Sequence, residues 1–186
     1  MPNPYSTPES NLQRDLNNGQ NDTSSPFSAS GRFSRYSFLA WNFVLNIVVM
    51  IIVFAVLAIM GAASDLMTMT DPNQALAFYT SGAGLFVLAI MLVSFVISMI
   101  FFIRRLHDID MSGWFSLLII VPLVNLIFGI FVLVKKGTEG ANRFGASRAT
   151  PGWEKVLGII SLVIIVLYFV VLIAGIVMAI MAGGMQ

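Results

Sequence analysis

The chain contains no cysteine, so disulfide bonds and thiolate chemistry are excluded at the outset. Charge is scarce as well: 10% of the 186 residues are Asp, Glu, Lys or Arg, against about 25% in a typical soluble domain. A single histidine rules out any site built on two, H-E-x-x-H included, and neither G-x-S-x-G nor a Walker loop occurs. The remainder is mostly apolar. Hydrophobic residues make up 58% of the sequence and its mean hydropathy is +0.88, the composition of an integral membrane protein. The net charge of +1 says little about partners, because in a membrane protein the placement of charge matters more than its sum. The few basic residues sit at membrane boundaries, which gives nucleic-acid binding no support.

Residues 1–30 are rich in Pro, Asn, Ser and Asp without an apolar period, and read as a disordered cytoplasmic tail. They lack the basic start and apolar core of a signal peptide. An apolar run from Tyr36 to Met60 is long enough for a first spanning helix, with Ser34 able to cap it and Tyr36 and Trp41 suited to the headgroup level. Asn42 and Asn46, four apart, share a face expected to turn toward other helices. From Gly61 to Ser81 the chain is polar and reads as a loop, with Asp65, Asp71, Pro72 and Asn73. A second span follows from Gly82 to Ile103, and a last one from Val156 to Ala182.

Between them, Trp114 to Val134 is just long enough to cross, yet Pro122 and Asn125 break it near the middle. If it spans, five of the ten basic residues lie outside; if it dips in and returns, all ten lie inside. The positive-inside bias favours the re-entrant hairpin, whose broken backbone needs a buried or watered bend. The expected fold class is therefore an all-α integral membrane helical bundle. It has three spanning helices plus a re-entrant, or fourth spanning, broken helical hairpin.

The densest chemistry lies in the charged hinge from Arg104 to Trp114. It holds Arg104, Arg105, His107, Asp108 and Asp110, then Ser112, Gly113 and Trp114. On a continuing helix Arg104 and Arg105 are each one turn from Asp108 and can pair with it, while Ser112 or Asp110 can cap the helix that starts near Trp114. Under the re-entrant topology Arg32 and Arg35, the hinge, and Lys135, Lys136 and Arg143 meet at one membrane face. Structural roles are available to all of these residues. The functional alternatives are anionic-lipid contact, at about 1 kcal/mol per charge, and an acid–base pair of His107 with Asp108 or Asp110. Asp108-x-Asp110 alone is too common a pattern to mark a metal site, and no cofactor motif is present.

Gly31-Arg32-Phe33-Ser34-Arg35, then Arg104-Arg105-Leu106-His107-Asp108 with Ser112-Gly113-Trp114, then Pro122, then Lys136-Gly137-Thr138-x-Gly140-x-Asn142-Arg143-Phe144-Gly145 resemble the domain-of-unknown-function family 805, small bacterial inner-membrane proteins. The resemblance covers residues 31–148 and implies a compact helical membrane domain with no assigned activity. The polar tail (1–30) and an additional C-terminal transmembrane helix (149–186) lie outside it. The candidate cluster is Arg32, Arg35, Arg104, Arg105, His107, Asp108, Ser112, Gly113, Trp114, Lys136, Gly137, Asn142 and Arg143. The leading expectation is a non-enzymatic inner-membrane protein with a cytoplasmic basic face for membrane lipids, anionic ones above all, or for a protein partner or second copy. The alternatives are a small transporter or channel component, with Asn42, Asn46 and Asn125 on a polar path, and a membrane-embedded enzyme using His107 and Asp108.

Overall fold

The computed structural model describes residues 22–64 and 71–183; among these the regular elements are all helical. In chain order they are α1 (Arg35–Ile59), α2 (Pro72–Thr80), α3 (Gly82–Asp108), a 3-10 helix (Gly113–Ile120), α4 (Val124–Val134) and α5 (Gly152–Gly183). Most of the expected tail, residues 1–21, lies outside the described residues, as does Asp65.

Helices α1, α3 and α5 have 25, 27 and 32 residues and are apolar enough to cross a membrane. Each is longer than the roughly 20 residues a bilayer core requires. Their outward side chains are overwhelmingly aliphatic, as lipid contact demands. The Ser34 hydroxyl accepts from the Ser37 amide at 3.1 Å and so caps the first turn of α1.

The chain folds into two compact units, one from residues 22–38 and 95–150, the other from 39–64, 71–94 and 151–183. In the second unit the expected loop contains a helix. Asp71 accepts from the Asn73 amide at 2.8 Å and Pro72 stands in the first turn, so α2 starts on a cap and a preset φ. Phe78 of α2 then packs with Val53, Leu57, Ala62, Ala83 and Val87. A nine-residue helix of low hydropathy is hidden from a search for long apolar runs, and burial of one Phe is what holds it.

One further expectation is corrected in this unit, the bonding of the Asn42 and Asn46 face to another helix. The Asn46 amide donates to the Asn42 carbonyl of its own helix at 2.7 Å rather than to a neighbouring helix. Asn46 instead lines, with Ser94, a 270 Å³ cavity walled by apolar side chains; Asn42 does not line it. Sequence reading also missed Glu154, fully buried beneath Trp41, whose indole N–H donates to it at 2.9 Å.

The first unit contains the hairpin. After α3 ends at Asp108, the chain enters the 3-10 helix, turns at Pro122–Leu123 and comes back as α4. The returning end of this excursion meets the last turn of α3: the Arg105 Nε donates to the Val132 carbonyl at 3.0 Å, and the Thr138 amide to the Asp108 carbonyl at 2.8 Å. Segment 113–134 thus departs from the hinge and returns to it. Its 11-residue α4 rises roughly 16 Å, about half a bilayer core.

Of the two expected settings for the bend, burial in protein is not the one found. Leu123, at φ 67°, is 81% exposed. The turn satisfies its own backbone instead, through Val121 N to Leu118 O, Val124 N to Pro122 O (2.8 Å) and Asn125 N to Val121 O (2.8 Å). Phe102, Leu106, Ile109 and Val132 form the core that the hairpin closes over.

Candidate functional site

Helix α3 does not stop at the apolar boundary near Ile103 but continues through the charged residues to Asp108. That extension puts Arg105 three residues before Asp108 on one face, and its Nη1 donates to Asp108 Oδ2 at 2.5 Å. Arg104, expected to share that carboxylate, does not reach it. The other oxygen, Oδ1, is taken by Arg32, whose Nε and Nη2 donate at 3.3 and 3.1 Å. Asp108 is therefore clamped between two guanidiniums, one from its own helix and one from 76 residues before it.

The donors left on these arginines fix the loops. Arg32 donates to the carbonyls of Thr138 (2.6 Å), Gly140 (2.6 Å) and Gly145 (3.3 Å). Arg105 donates to the Lys135 carbonyl. Arg104 gathers a different set: its Nη1 donates to the carbonyls of Ser25, Ser28 and Ser30 and to the Ser24 hydroxyl, and its Nη2 to Asp22 at 3.1 Å. Its guanidinium also lies 4.4 Å from the Phe33 ring centre. All three arginines have 0% exposure. Buried cations persist only when paired and hydrogen-bonded, and here two carboxylates and a ring of carbonyls meet that condition.

Residues 22–30, which composition assigns to the tail, are thus a docked arm. Gly31 follows at φ +87°, in a conformation that suits glycine, and a Cβ there would collide with Asp22, Ser24 and Arg104. The signal available in the sequence was the run of small hydroxyl residues before Gly31, which can approach a guanidinium with their carbonyls.

The second motif closes the far end of α3. The Thr138 hydroxyl donates to the Asp108 carbonyl at 3.1 Å and the Asn142 amide to the His107 carbonyl at 2.7 Å, so the last carbonyls of the helix find partners. Asn142 also accepts from the Phe144 amide at 2.9 Å. Gly137 lets this strap pass directly over the Asp108 carboxylate.

Ser112 caps the 3-10 helix, while Asp110 takes φ 59° and pairs with Arg143 at 3.1 Å. Arg35 touches the edge of the cluster, donating to the Val134 carbonyl at 3.2 Å. Lys136 stays outside it, paired with Glu139 in the open, which holds that carboxyl below its usual range. Trp114 is 80% exposed. His107 stacks on Phe144 with ring centres 4.0 Å apart, and its Nδ1 contacts the Gly31 carbonyl at 3.3 Å rather than a carboxylate. The postulated acid–base pair with Asp108 or Asp110 is therefore not formed. Among the described residues no group of three His, Asp or Glu is placed to hold a metal ion.

Burial works to raise the Asp22 carboxyl, but hydrogen bonds from Ser24 and the Arg32 amide, together with the Arg104 charge, hold it below the ordinary carboxylate range. A depressed folded pKa contributes stability above the unfolded value and loses it as pH falls through the folded one, so the latch should weaken only in acid below the ordinary carboxylate range. Protection of the Ser24 and Arg32 amides against hydrogen exchange, relative to the unfolded chain at the same pH, should fall there and hold at pH 5. Protection that stays unchanged once the Asp22 carboxyl has protonated would contradict the latch.

A family model described as "Protein of unknown function (DUF805)" matches residues 26–146, from the docked arm through Asn142 and the end of the strap. The chain belongs to this family. The DUF805 match begins at Pro26, within the arm, and leaves α5 outside. Two curated relatives from Escherichia coli (strain K12) share shorter stretches. The inner membrane protein YhaH is 45% identical over 42 residues, covering 23% of this chain and 35% of the relative. The inner membrane protein YhaI is 44% identical over 43 residues, covering 23% and 36%. The chain thus spans about a third of the length of the curated relatives it matches. No solved structure matches it.

Proposed function

We propose that this DUF805 protein is a non-enzymatic inner-membrane protein whose basic boundary face binds anionic lipid, with its N-terminus in the cytoplasm. The observation that carries this reading is a charge excess at the end of α3. The unit holding the hinge has eight Lys and Arg against four Asp and Glu among its described residues. Arg32, Arg104 and Arg105 are consumed inside it, so lipid contact falls to the outward cations, chiefly Lys135 and Lys136. Glu139, the partner of Lys136, is itself exposed and such a pair is weak, leaving the face open to lipid phosphates.

The test compares thermal stability of the full chain in nanodiscs of phosphatidylcholine with and without phosphatidylglycerol. Phosphatidylglycerol should raise the melting temperature in a salt-sensitive way, and Lys135→Gln/Lys136→Gln should remove the gain. Equal melting in both lipids would overturn the reading, and stabilisation that tracks protein concentration instead would move it to a partner protein or second copy. Sidedness is probed separately, in intact cells, by Ser147→Cys in this cysteine-free chain. Labelling by an impermeant reagent in intact cells would reverse the orientation.

A further inference from the structure

A cleft of 430 Å³ opens where α3 gives way to the hairpin, in the unit that contains the hinge. One wall is apolar, made by Ile103, Leu117 and the exposed Trp114. The other is polar: His107 and Ser116 line it, and Ser116 is only 7% exposed. An apolar wall facing polar groups at the end of a membrane span fits an amphipathic molecule with its chain along the first and its headgroup at the second.

The tautomer of His107 narrows the choice. The Gly31 carbonyl can only accept, so its contact with Nδ1 places the proton there. In the neutral ring Nε2 is then an acceptor. It lies beside the bare backbone of Gly113, where a Cβ would come within 3.4 Å of Nε2 and 2.9 Å of Ile103. Stacking on Phe144 holds the ring in this orientation. Arg143 lies outside the cleft's lining, next to its Phe144: its guanidinium is 4.8 Å from that ring and is held by Asp110 through Nε and Nη2, leaving Nη1 for a phosphate oxygen at the cleft's edge.

We propose that this cleft seats one phospholipid whose headgroup carries a hydrogen-bond donor beyond its phosphate, with that donor on His107 Nε2 and the phosphate at Arg143. The seat deepens the lipid reading above and rests on it for placing this face at the membrane boundary, but it selects by donor rather than by charge. An ammonium and a glycerol hydroxyl both qualify; the quaternary amine of phosphatidylcholine does not.

With one histidine in the sequence, ¹⁵N-histidine labelling of the full chain reports this nitrogen without assignment. In nanodiscs the Nε2 resonance should move upfield when phosphatidylethanolamine or phosphatidylglycerol replaces part of the phosphatidylcholine, saturating at one lipid per chain. The two arms distinguish an ammonium from a hydroxyl donor. Lipid retained through purification should be enriched in the donor headgroup by roughly three- to tenfold over phosphatidylcholine, the weight of one hydrogen bond. His107→Phe keeps a ring on Phe144 and should abolish the enrichment; should it not fold, Leu117→Trp fills the cleft from its exposed rim with the same result.

An Nε2 signal identical in all three lipids, or enrichment that survives both variants, overturns the seat. So does a response to phosphatidylglycerol alone that disappears in Lys135→Gln/Lys136→Gln, since it then belongs to the charged face. If that face fails its own test while phosphatidylethanolamine still moves Nε2, the seat stands without it.

Discussion

Asp108→Asn should cost about 3–5 kcal/mol, because it removes the charge that two fully buried guanidiniums share. The amide keeps the carboxylate's shape, so the loss is electrostatic rather than steric. Arg105 is held in place by its own helix, but Arg32 reaches Asp108 from 76 residues away and carries the carbonyls of Thr138, Gly140 and Gly145 with it. Once Asp108 is neutral, Arg32, the strap and the end of α3 lose their common partner together. The measurement is thermal melting of purified protein, with a fall on the order of 10 °C for this size of loss. A melting temperature within a degree or two of the parent would mean that the carbonyl shell alone solvates the arginines.

Gly137→Ala should be nearly as damaging, for a different reason. Its Cβ would overlap the Asp108 carboxylate, standing 2.7 Å from Cγ and 2.9 Å from Oδ1. Neither side can yield cheaply: the carboxylate is pinned from two directions, and the strap's carbonyls at Lys135 and Thr138 hold Arg105 and Arg32. Overpacking at such a point costs about 2–3 kcal/mol. Gly129→Ala, on the open face of α4, meets nothing within 4 Å and serves as control. It should melt at or slightly above the parent temperature, as alanine is the better helix former. Comparable losses in both variants would remove the steric account of the strap.

These two positions also mark the limit of what the primary sequence discloses. Asp108 and Gly137 both stand in family motifs, yet their dependence on each other is not visible along the chain. Arg105 and Asp108 were readable as a pair because helical spacing is local. Arg32 and Asp108 were not, because nothing in either neighbourhood names the other. Helix α2 was missed for lack of a long apolar run, although Asp71-Pro72 is a recognisable start. The arm at 22–30 was missed because its composition is that of a solvated tail, and only the buried Arg104 gives those serine carbonyls a reason to converge.

By itself the sequence determined that this is a helical membrane protein with three spans and an interrupted apolar segment, and that its charges gather in a few motifs. Those properties follow from hydropathy and helical period, which each segment carries alone. The tertiary structure alone decided which charges meet. It turned Arg32, Arg104 and Arg105 inward, left Lys135 and Lys136 outside, and set His107 in the lining of a cleft. A buried guanidinium must find every partner at once, and those partners come from segments that only folding brings together.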